Sequence, residues 1–333
     1  MTRLRPNTRP GAQWFPKAGL GLFIHWGISS VDGYLDLSWG MFKDFKYSPR
    51  ACRPQEYFAL AEKFKPGRFD PDKWLKAARQ AGCRYAVFTA RHHDSFAMWP
   101  SRYGDFSTKT YMGGRDLVGA YVEACRRQGL KVGLYYSPPD FRTAGEYLPY
   151  GGWQPDRRNE IPEVLSEYEH AIVCGQVYEL LTRYGKIDLI WFDGKWQHIL
   201  SEEFIRSLQP DIVIGRGEDT NFDTTECHVP TEQEYAERFN GVWWEFCGEL
   251  NCCWGYTKRD EHTVKSLDTL IEWFTSVRRH GGNFLINMGP DSEGDFTCLE
   301  YERLREFGEY VRAHPELMPQ WNETFSPNES GRL

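Results

Sequence analysis

The sequence predicts an α/β fold, a (β/α)8 TIM-like barrel that need not be regular, and three observations lead to it. Short apolar runs alternate with amphipathic stretches along the chain, as in repeated strand–helix units. Several of the amphipathic stretches end at glycine and pass directly into the next apolar run, as helices with a glycine cap do. The 333 residues suit one barrel, and no G-x-G-x-x-G follows the first apolar run, which disfavours an open nucleotide-binding sheet.

The apolar runs are predicted as strands buried on both faces, because they contain few polar residues. They cover 19–27, 85–93, 130–138, 186–194, 211–217 and 283–290. Between them, amphipathic periodicity predicts helices over 71–82, 115–129, 166–185, 201–209 and 263–281. This order implies parallel strands joined by helical crossovers.

Nothing in the sequence divides the barrel into two units. There is no internal repeat, low-complexity segment or linker. We therefore predict one catalytic domain over residues 1–315. The last stretch, 316–333, is rich in polar residues and is predicted as a loose tail.

Composition excludes several classes of partner. The formal charge is −7 and basic residues form no long run, which argues against nucleic-acid binding and docking on a membrane surface. No stretch approaches the roughly 20 apolar residues of a membrane span. The first 15 residues lack the apolar core of a secretory signal, and the nine cysteines form no C-x-x-C pair. We expect a cytoplasmic protein with reduced thiols; a disulfide between adjacent Cys252 and Cys253 is the less favoured alternative.

Aromatic residues make up 16% of the chain and have two interpretations. They can form a large aromatic core, or they can stack on the C–H faces of a sugar while polar neighbours bind its hydroxyl groups. The second interpretation predicts a small-molecule glycoside or oligosaccharide as partner. The oligomeric state is left open.

Polar and aromatic side chains collect at the predicted strand ends, where barrel enzymes carry their chemistry. They are His25, Trp26, His92, His93, Asp94, Tyr135, Tyr136, Trp191, Asp193 and Arg216, with Glu226 and Glu245 on the segments after the fifth predicted strand. Taken singly, each of these residues is explained more simply as an ordinary polar or aromatic side chain at the start of a loop, with no role in a site. Their joint occurrence favours a site.

A metal centre is not predicted, and no cofactor is. Metal-dependent barrel hydrolases usually carry an H-x-H pair on the first strand, where this chain has only His25. Consecutive His92 and His93 would point to opposite sides of a regular strand, and they converge only if the strand ends or bulges there.

The residues at the strand ends fit a site built on two carboxylates better than they fit a metal centre. A retaining glycosidase needs one ionised carboxylate as nucleophile and one protonated carboxyl group as general acid. Asp193 ends an apolar run, and the histidines and Arg216 could hold it ionised. Glu226, on a later loop, could lie in a less polar environment that raises its pKa, as a general acid requires.

The chain resembles glycoside hydrolase family 29, the α-L-fucosidases, in motifs that occur in order between residues 23 and 294. Each motif is short, and their combination is specific. They are FIHWG (23–27), RHHDSFAMWPS (91–101), RDLVGAYVEACRRQGLKVGLYYSP (115–138), YGKIDLIWFDG (184–194), NFDTTECHVP (221–230), CWGY (253–256) and GGNFLINMGPDSEG (281–294).

The resemblance implies catalytic roles. Asp193 of the WFDG motif would be the nucleophile, and Glu226, which matches an F-x-T-x-E motif of one branch of the family, would be the acid/base residue. Glu245 is the alternative acid/base residue. The resemblance also implies substrate-binding residues, which are His25, Trp39, His92, His93, Tyr136, Trp191 and Arg216.

Three departures from the family pattern bear on this function. Ser95 follows the HHD motif where glycine is usual, and Leu37-Ser38-Trp39 replaces an E-W-Y element and lacks its glutamate. The usual C-terminal β-sandwich is not found in the chain. The main prediction is a retaining exo-acting α-L-fucosidase that works through a glycosyl-aspartate. The alternatives are a glycosidase of the same fold with another sugar specificity and a non-catalytic sugar-binding barrel.

Overall fold

The computed structural model describes residues 7–42, 48, 50–142, 167–194, 196–197, 199–216, 219–223 and 229–321. Within them, eight strands form one parallel sheet, so the predicted α/β barrel class is confirmed. The strands are Leu20–Ile24 (β1), Tyr85–Arg91 (β2), Lys131–Tyr136 (β3), Leu189–Phe192 (β4), Val213–Gly215 (β5), Thr220–Asp223 (β6), Trp243–Glu249 (β7) and Asn283–Met288 (β8).

The order of neighbouring strands is β5-β4-β3-β2-β1-β8-β7-β6, so the first and last strands along the chain pair in the middle of the sheet. This is the strand order of a barrel wall in which the first and last strands along the chain are neighbours. In the described parts of residues 213–223, no backbone ladder joins β5 to β6, and the wall is irregular at this seam.

Each predicted strand contains an observed one, but the sequence did not predict β6 and β7. The four residues of β6 include threonine, asparagine and aspartate, which are typical of turns. Two glutamates interrupt the apolar pattern of β7, and both are buried. A strand with charged residues on its buried face cannot be recognised by a search for runs of apolar residues.

The helices are Pro54–Phe58 (α1), Pro71–Ala81 (α2), Thr108–Tyr111 (α3), Leu117–Gln128 (α4), Glu167–Thr182 (α5), Glu202–Leu208 (α6), Glu232–Glu234 (α7), Leu267–Arg279 (α8) and Cys298–Ala313 (α9). The predicted glycine stops are confirmed in α2 and α4. Gly82 and Gly129 follow them at φ 102° and φ 66°, the left-handed conformation that glycine adopts without strain. Of the described helices, none is long and apolar enough to span a membrane.

Apolar side chains pack on both sides of the wall. The larger cluster lies between the sheet and the helices, and the smaller one fills the barrel interior. Trp14 and Phe15, from the segment before β1, belong to the interior cluster together with Tyr85 at the start of β2. They close the end of the barrel at which the strands begin, so the opposite end is left for chemistry.

The predicted boundary at residue 315 stays a prediction. The described part of the predicted tail, up to Trp321, packs on the barrel: Arg84 donates to the carbonyl of Pro319 at 2.9 Å and lies over the Trp321 ring. Arg278 donates to the carbonyl of Leu317 at 3.0 Å. This part is therefore attached, while residues 322–333 lie outside the described residues.

Candidate active site

Asp193 lies directly after β4, and three donors converge on its carboxylate. The Tyr135 hydroxyl donates to Oδ2 at 2.7 Å, and Nε2 of His93 lies 3.3 Å from the same oxygen. The Arg216 guanidinium contacts Oδ1. The Asp193 side chain keeps 20% of its surface exposed. Such partners favour the ionised form of the carboxylate and leave one side of it open to a substrate.

The barrel interior is reached by Tyr135 and not by Tyr136, the tyrosine expected from the resemblance. Tyr135 pairs in register with Trp191, whose ring stacks on it at 5.5 Å. Tyr136 points to the other face of the sheet, where its hydroxyl donates to Gln176 at 2.8 Å. Because successive side chains of a strand alternate between faces, only one of the two tyrosines can contact Asp193. The expectation for Tyr136 is corrected, and Tyr135 takes that position.

His92 and His93 meet the condition set by the sequence, because β2 ends at Arg91 and its register with β3 shifts just before that residue. Both imidazoles therefore turn toward the barrel mouth. The His92 ring stacks on Tyr135 with an interplanar angle of 7°. The Trp39 ring contacts the His93 ring edge-on at 5.0 Å.

His25 follows β1, and its orientation is fixed by Asn287 on β8. Oδ1 of Asn287 lies 2.6 Å from Nδ1 of His25, while Nδ2 of Asn287 donates to the carbonyl of Trp254 at 2.7 Å. The second bond assigns the amide orientation, so Nδ1 of His25 carries the hydrogen. Nε2 of His25 is left as an acceptor for a ligand hydroxyl.

Burial keeps these imidazoles neutral. It lowers the pKa of His25 and of His93 to about 3, and it lowers the pKa of His92 well below its ordinary value. A neutral imidazole offers one donor and one acceptor, and it suits a sugar hydroxyl, which can both accept and donate. We call the residues that converge at this end of the barrel the Asp193 cluster. Its members are His25, Trp39, His92, His93, Tyr135, Trp191, Asp193 and Arg216.

Three atoms of the cluster could be read as metal ligands. His92, His93 and Asp193 each offer one ligand atom, and these atoms lie within 4.8 Å of one another. However, a cation held there would share Asp193 with the positively charged Arg216 guanidinium. Repulsion between the two charges disfavours a metal ion.

We therefore expect that activity is indifferent to metal removal. Incubation with EDTA followed by buffer exchange should leave kcat/KM for an aryl α-L-fucoside within about twofold of the untreated value, because hydrogen bonds and not metal ligation orient the histidines. A loss of activity that a single divalent metal restores would contradict this prediction.

Ser95 occupies the position where the family usually has glycine, and the backbone explains the usual residue. Ser95 adopts φ 71° in the turn after His93 and Asp94, and its buried hydroxyl has no partner among the described residues. A left-handed serine is strained, and a buried hydroxyl without a hydrogen bond costs free energy.

Ser95→Gly should consequently raise the free energy of unfolding by about 1 kcal/mol, after the greater freedom of glycine in the unfolded chain is subtracted. Urea denaturation of the two proteins measures this difference. Gly113→Ser, at φ 60° in an open turn, provides the reverse change and should destabilise.

The two candidate acid/base residues have different settings. Glu226 lies outside the described residues. Glu245 is in β7 and is fully buried; it accepts hydrogen bonds at 2.8 Å from both the Tyr85 hydroxyl and the Trp191 indole. Burial raises the pKa of Glu245 to about 7. These contacts suit a structural carboxyl group beneath Asp193.

Glu245→Gln should change how stability depends on pH. A carboxyl group whose folded pKa is raised stabilises the protein below its unfolded pKa, near 4.5, and this contribution is lost as the pH rises through about 7. Unfolding by urea should show a smaller loss of stability between pH 5 and pH 8.5 in Glu245→Gln than in the parent protein. Glu302→Gln, on the exposed face of α9, should behave as the parent does.

Sequence reasoning also missed residues at the barrel mouth. The Trp254 ring lies 5.1 Å from the His25 ring, and the CWGY motif was the available signal. Glu249, the last residue of β7, is buried and pairs in register with Asn287. Glu249 lies four residues after Glu245 on β7, so the alternation of side chains along the strand places both on the interior face. Glu249 was not identified from the sequence because β7 itself was not predicted.

Comparison with known proteins supports one family. The family model for α-L-fucosidase matches residues 3–316. The tissue α-L-fucosidase of Rattus norvegicus is 28% identical over 94% of this chain and 70% of its own length. The α-L-fucosidase of Branchiostoma floridae is 27% identical over 98% of this chain and 76% of its own length.

Solved structures agree with this comparison. An α-L-fucosidase isoenzyme from Paenibacillus thiaminolyticus has a TM-score of 0.76 and 30% identity, covering 93% of this chain and 77% of its own. An α-L-fucosidase from Lactobacillus casei has a TM-score of 0.74 and 26% identity, covering 92% of this chain and 100% of its own. A family model that spans nearly the whole barrel, together with these relatives, shows that the chain belongs to the α-L-fucosidases, glycoside hydrolase family 29.

Proposed function

We propose that Asp193 is the nucleophile of a retaining exo-α-L-fucosidase and that Glu226 is its acid/base residue. The observation that carries this proposal is the convergence of Tyr135, His93 and Arg216 on a partly exposed carboxylate at the mouth of the barrel. The motif around Glu226 supports the second assignment.

In the first step, a carboxylate oxygen of Asp193 attacks the anomeric carbon while Glu226 gives its proton to the leaving oxygen. The aspartate loses its negative charge when it becomes an ester. In the second step, Glu226 takes a proton from water, which attacks the same carbon, and Asp193 departs as a carboxylate. Arg216 and Tyr135 stabilise that departing charge, so they assist the release of the sugar.

Other members of the cluster bind the sugar together with Trp254. His25 offers an acceptor at Nε2, and His92 adds a neutral imidazole, while His93 acts through Asp193, to which its Nε2 is turned. Trp39 and Trp254 supply aromatic surface beside them. Polar groups that converge between aromatic faces suit a deoxy sugar, which has both hydroxyl groups and an apolar methyl group. The Lactobacillus casei relative has been solved with Fuca(1,6)GlcNAc and with 4-nitrophenyl α-L-fucopyranoside, which supports the same substrate class here.

We place the enzyme in a reducing compartment, the cytoplasm. No disulfide joins the cysteines in the described part of the chain, and most of these cysteines are buried, which agrees with a protein that does not depend on disulfides. This placement is testable by fractionation of the source cells.

The test is hydrolysis of 4-nitrophenyl α-L-fucopyranoside, followed by NMR. We expect L-fucose to be released first as the α anomer, because two displacements at one carbon restore its configuration. β-L-fucose as the first product would overturn the double-displacement proposal. Binding of L-fucose with no turnover of any aryl α-L-fucoside would favour the non-catalytic sugar-binding barrel.

A further inference from the structure

Two adjacent cysteines lie in the loop after β7, and the catalytic proposal does not use them. The Sγ atoms of Cys252 and Cys253 are 3.7 Å apart. Cys252 is exposed, whereas Cys253 is buried and receives a contact from the Arg259 guanidinium at 3.8 Å. One thiol is therefore accessible to solvent, and its neighbour stands within reach of it.

The two thiols differ in reactivity. The hydrogen bond with Cys253, together with the positive charge of Arg259, lowers the pKa of Cys252 to about 6. The same hydrogen bond and burial raise the pKa of Cys253. The thiolate is the nucleophilic form, so Cys252 suits attack on an oxidant. Cys253 suits the second step, in which the oxidised sulfur is resolved, because its Sγ atom lies 3.7 Å from that of Cys252.

The backbone on both sides of the pair is held in place. Before it, the Leu250 amide donates to the Asn287 carbonyl at 2.9 Å, and the Asn251 side chain donates to buried Glu300 at 2.7 Å. After it, the Gly255 amide donates to Asp36 at 2.8 Å. Movement of the two cysteines is therefore confined to residues 251–255, where the Trp254 amide also hydrogen-bonds to Asp36 and the Trp254 carbonyl faces Asn287.

Trp254 connects this loop to the Asp193 cluster. Its ring lies 5.1 Å from the His25 ring, and its carbonyl accepts the Asn287 hydrogen bond that assigns the orientation of the Asn287 amide. The other end of that amide binds Nδ1 of His25. A shift of the Trp254 carbonyl would thus disturb the imidazole that we assign to sugar binding.

We propose that Cys252 and Cys253 form a reversible oxidation site, which a hydroperoxide closes into a vicinal disulfide that weakens sugar binding through Trp254. The Cys252 thiolate attacks the terminal oxygen, the O–O bond breaks, and a sulfenic acid and water (or an alcohol) result after proton uptake. Cys253 then gives up its proton, its sulfur attacks the sulfenic sulfur, and the S–O bond breaks to release water. Two thiols lose two electrons, and the peroxide accepts them.

The bond formed in this way is reducible. Neighbouring Cα atoms are 3.8 Å apart, which is less than the usual Cα separation across a disulfide, so closure strains the ring and the peptide within it. Strained, exposed disulfides have high reduction potentials and are the labile ones. A dithiol reductant should reopen the pair. The effect on sugar binding rests on the proposed function; formation of the disulfide does not.

The experiment treats the intact protein with hydrogen peroxide and follows two readouts. Mass spectrometry of the peptide containing residues 252–253 should show loss of two hydrogen atoms. Calorimetry should show that the Kd for L-fucose rises at least roughly tenfold, because an oriented hydrogen-bond partner is displaced, and dithiothreitol should restore both readouts. Cys298→Ser, which removes another exposed thiol, should respond as the parent protein does.

Single variants test the assigned order of steps. Cys252→Ser should resist oxidation at this loop, and Cys253→Ser should accumulate a sulfenic acid that dimedone traps. Failure to detect the intramolecular disulfide would overturn the oxidation site. A disulfide that leaves the Kd for L-fucose unchanged would overturn the connection through Trp254. If the reduced protein does not bind L-fucose, the proposed function fails, and the peptide mass still decides whether the oxidation site exists.

Discussion

Asp193→Ala is expected to lower kcat for 4-nitrophenyl α-L-fucopyranoside by at least about 10^4-fold, because the residue that forms the covalent bond is removed. The fold should survive, since the carboxylate is partly exposed and lies after the end of β4. Asp193→Asn keeps the shape of the side chain and should be equally inactive. Circular dichroism and the unfolding midpoint establish that both variants are folded.

Azide provides the positive test of this assignment. In Asp193→Ala, the anion can enter the space left by the carboxylate and attack the anomeric carbon from the same side, which gives β-L-fucosyl azide in one inverting step. Detection of that product by NMR would identify the side from which the nucleophile acts. Retention of more than a few per cent of the parent activity in pure Asp193→Ala would overturn the role of Asp193.

Glu226→Ala is expected to have the second largest effect, and its size should depend on the leaving group. For natural-type α-L-fucosides, whose leaving alcohol needs a proton, kcat/KM should fall by about 10^3-fold. The loss should be much smaller for 4-nitrophenyl α-L-fucopyranoside, because nitrophenolate departs with little protonation. A plot of activity against the pKa of the leaving group, for parent and variant, measures this difference.

The same variant should respond to azide with the opposite stereochemistry. Azide needs no general base, so it should attack the fucosyl-Asp193 ester from the face vacated by Glu226 and give α-L-fucosyl azide. Glu245→Ala is the matched control, and we expect no azide product from it because Glu245 is buried against Tyr85 and Trp191. An azide product with Glu245→Ala and none with Glu226→Ala would reverse the assignment of the acid/base residue.

Much of the barrel was predictable because strands that are buried on both faces consist of apolar runs, which can be recognised in a single sequence. The strands flanking β1 are nearly uninterrupted apolar runs, and their ends were predicted to within a few residues. β7 could not be recognised in this way. Its inward positions carry Glu245 and Glu249, whose burial depends on hydrogen bonds from other strands, and a single-sequence pattern cannot supply those partners.

The site, too, could be predicted in part from the sequence and in part only from the structure. The sequence placed Asp193, the histidines and Arg216 at strand ends, and the structure brings them together. The choice between Tyr135 and Tyr136 depended on register, and the pairing of Tyr135 with Trp191 decides it. The role of Asn287 was not visible in the sequence at all, because Asn287 and His25 are 262 residues apart and only the β1–β8 pairing makes them neighbours.

The seam between β5 and β6 predicts that different strands of the wall differ in the rate at which their amide hydrogens exchange with solvent. Each of these strands has one laddered neighbour, whereas β1 and β8 have two. Arg216 follows β5, and the Glu226 segment follows β6. Amide hydrogen exchange should therefore be faster in β5 and β6 than in β1 and β8. Arg216, which contacts Asp193, would then be carried by a weakly protected part of the wall, and an inhibitor that contacts Asp193 and Arg216 should slow exchange in β5.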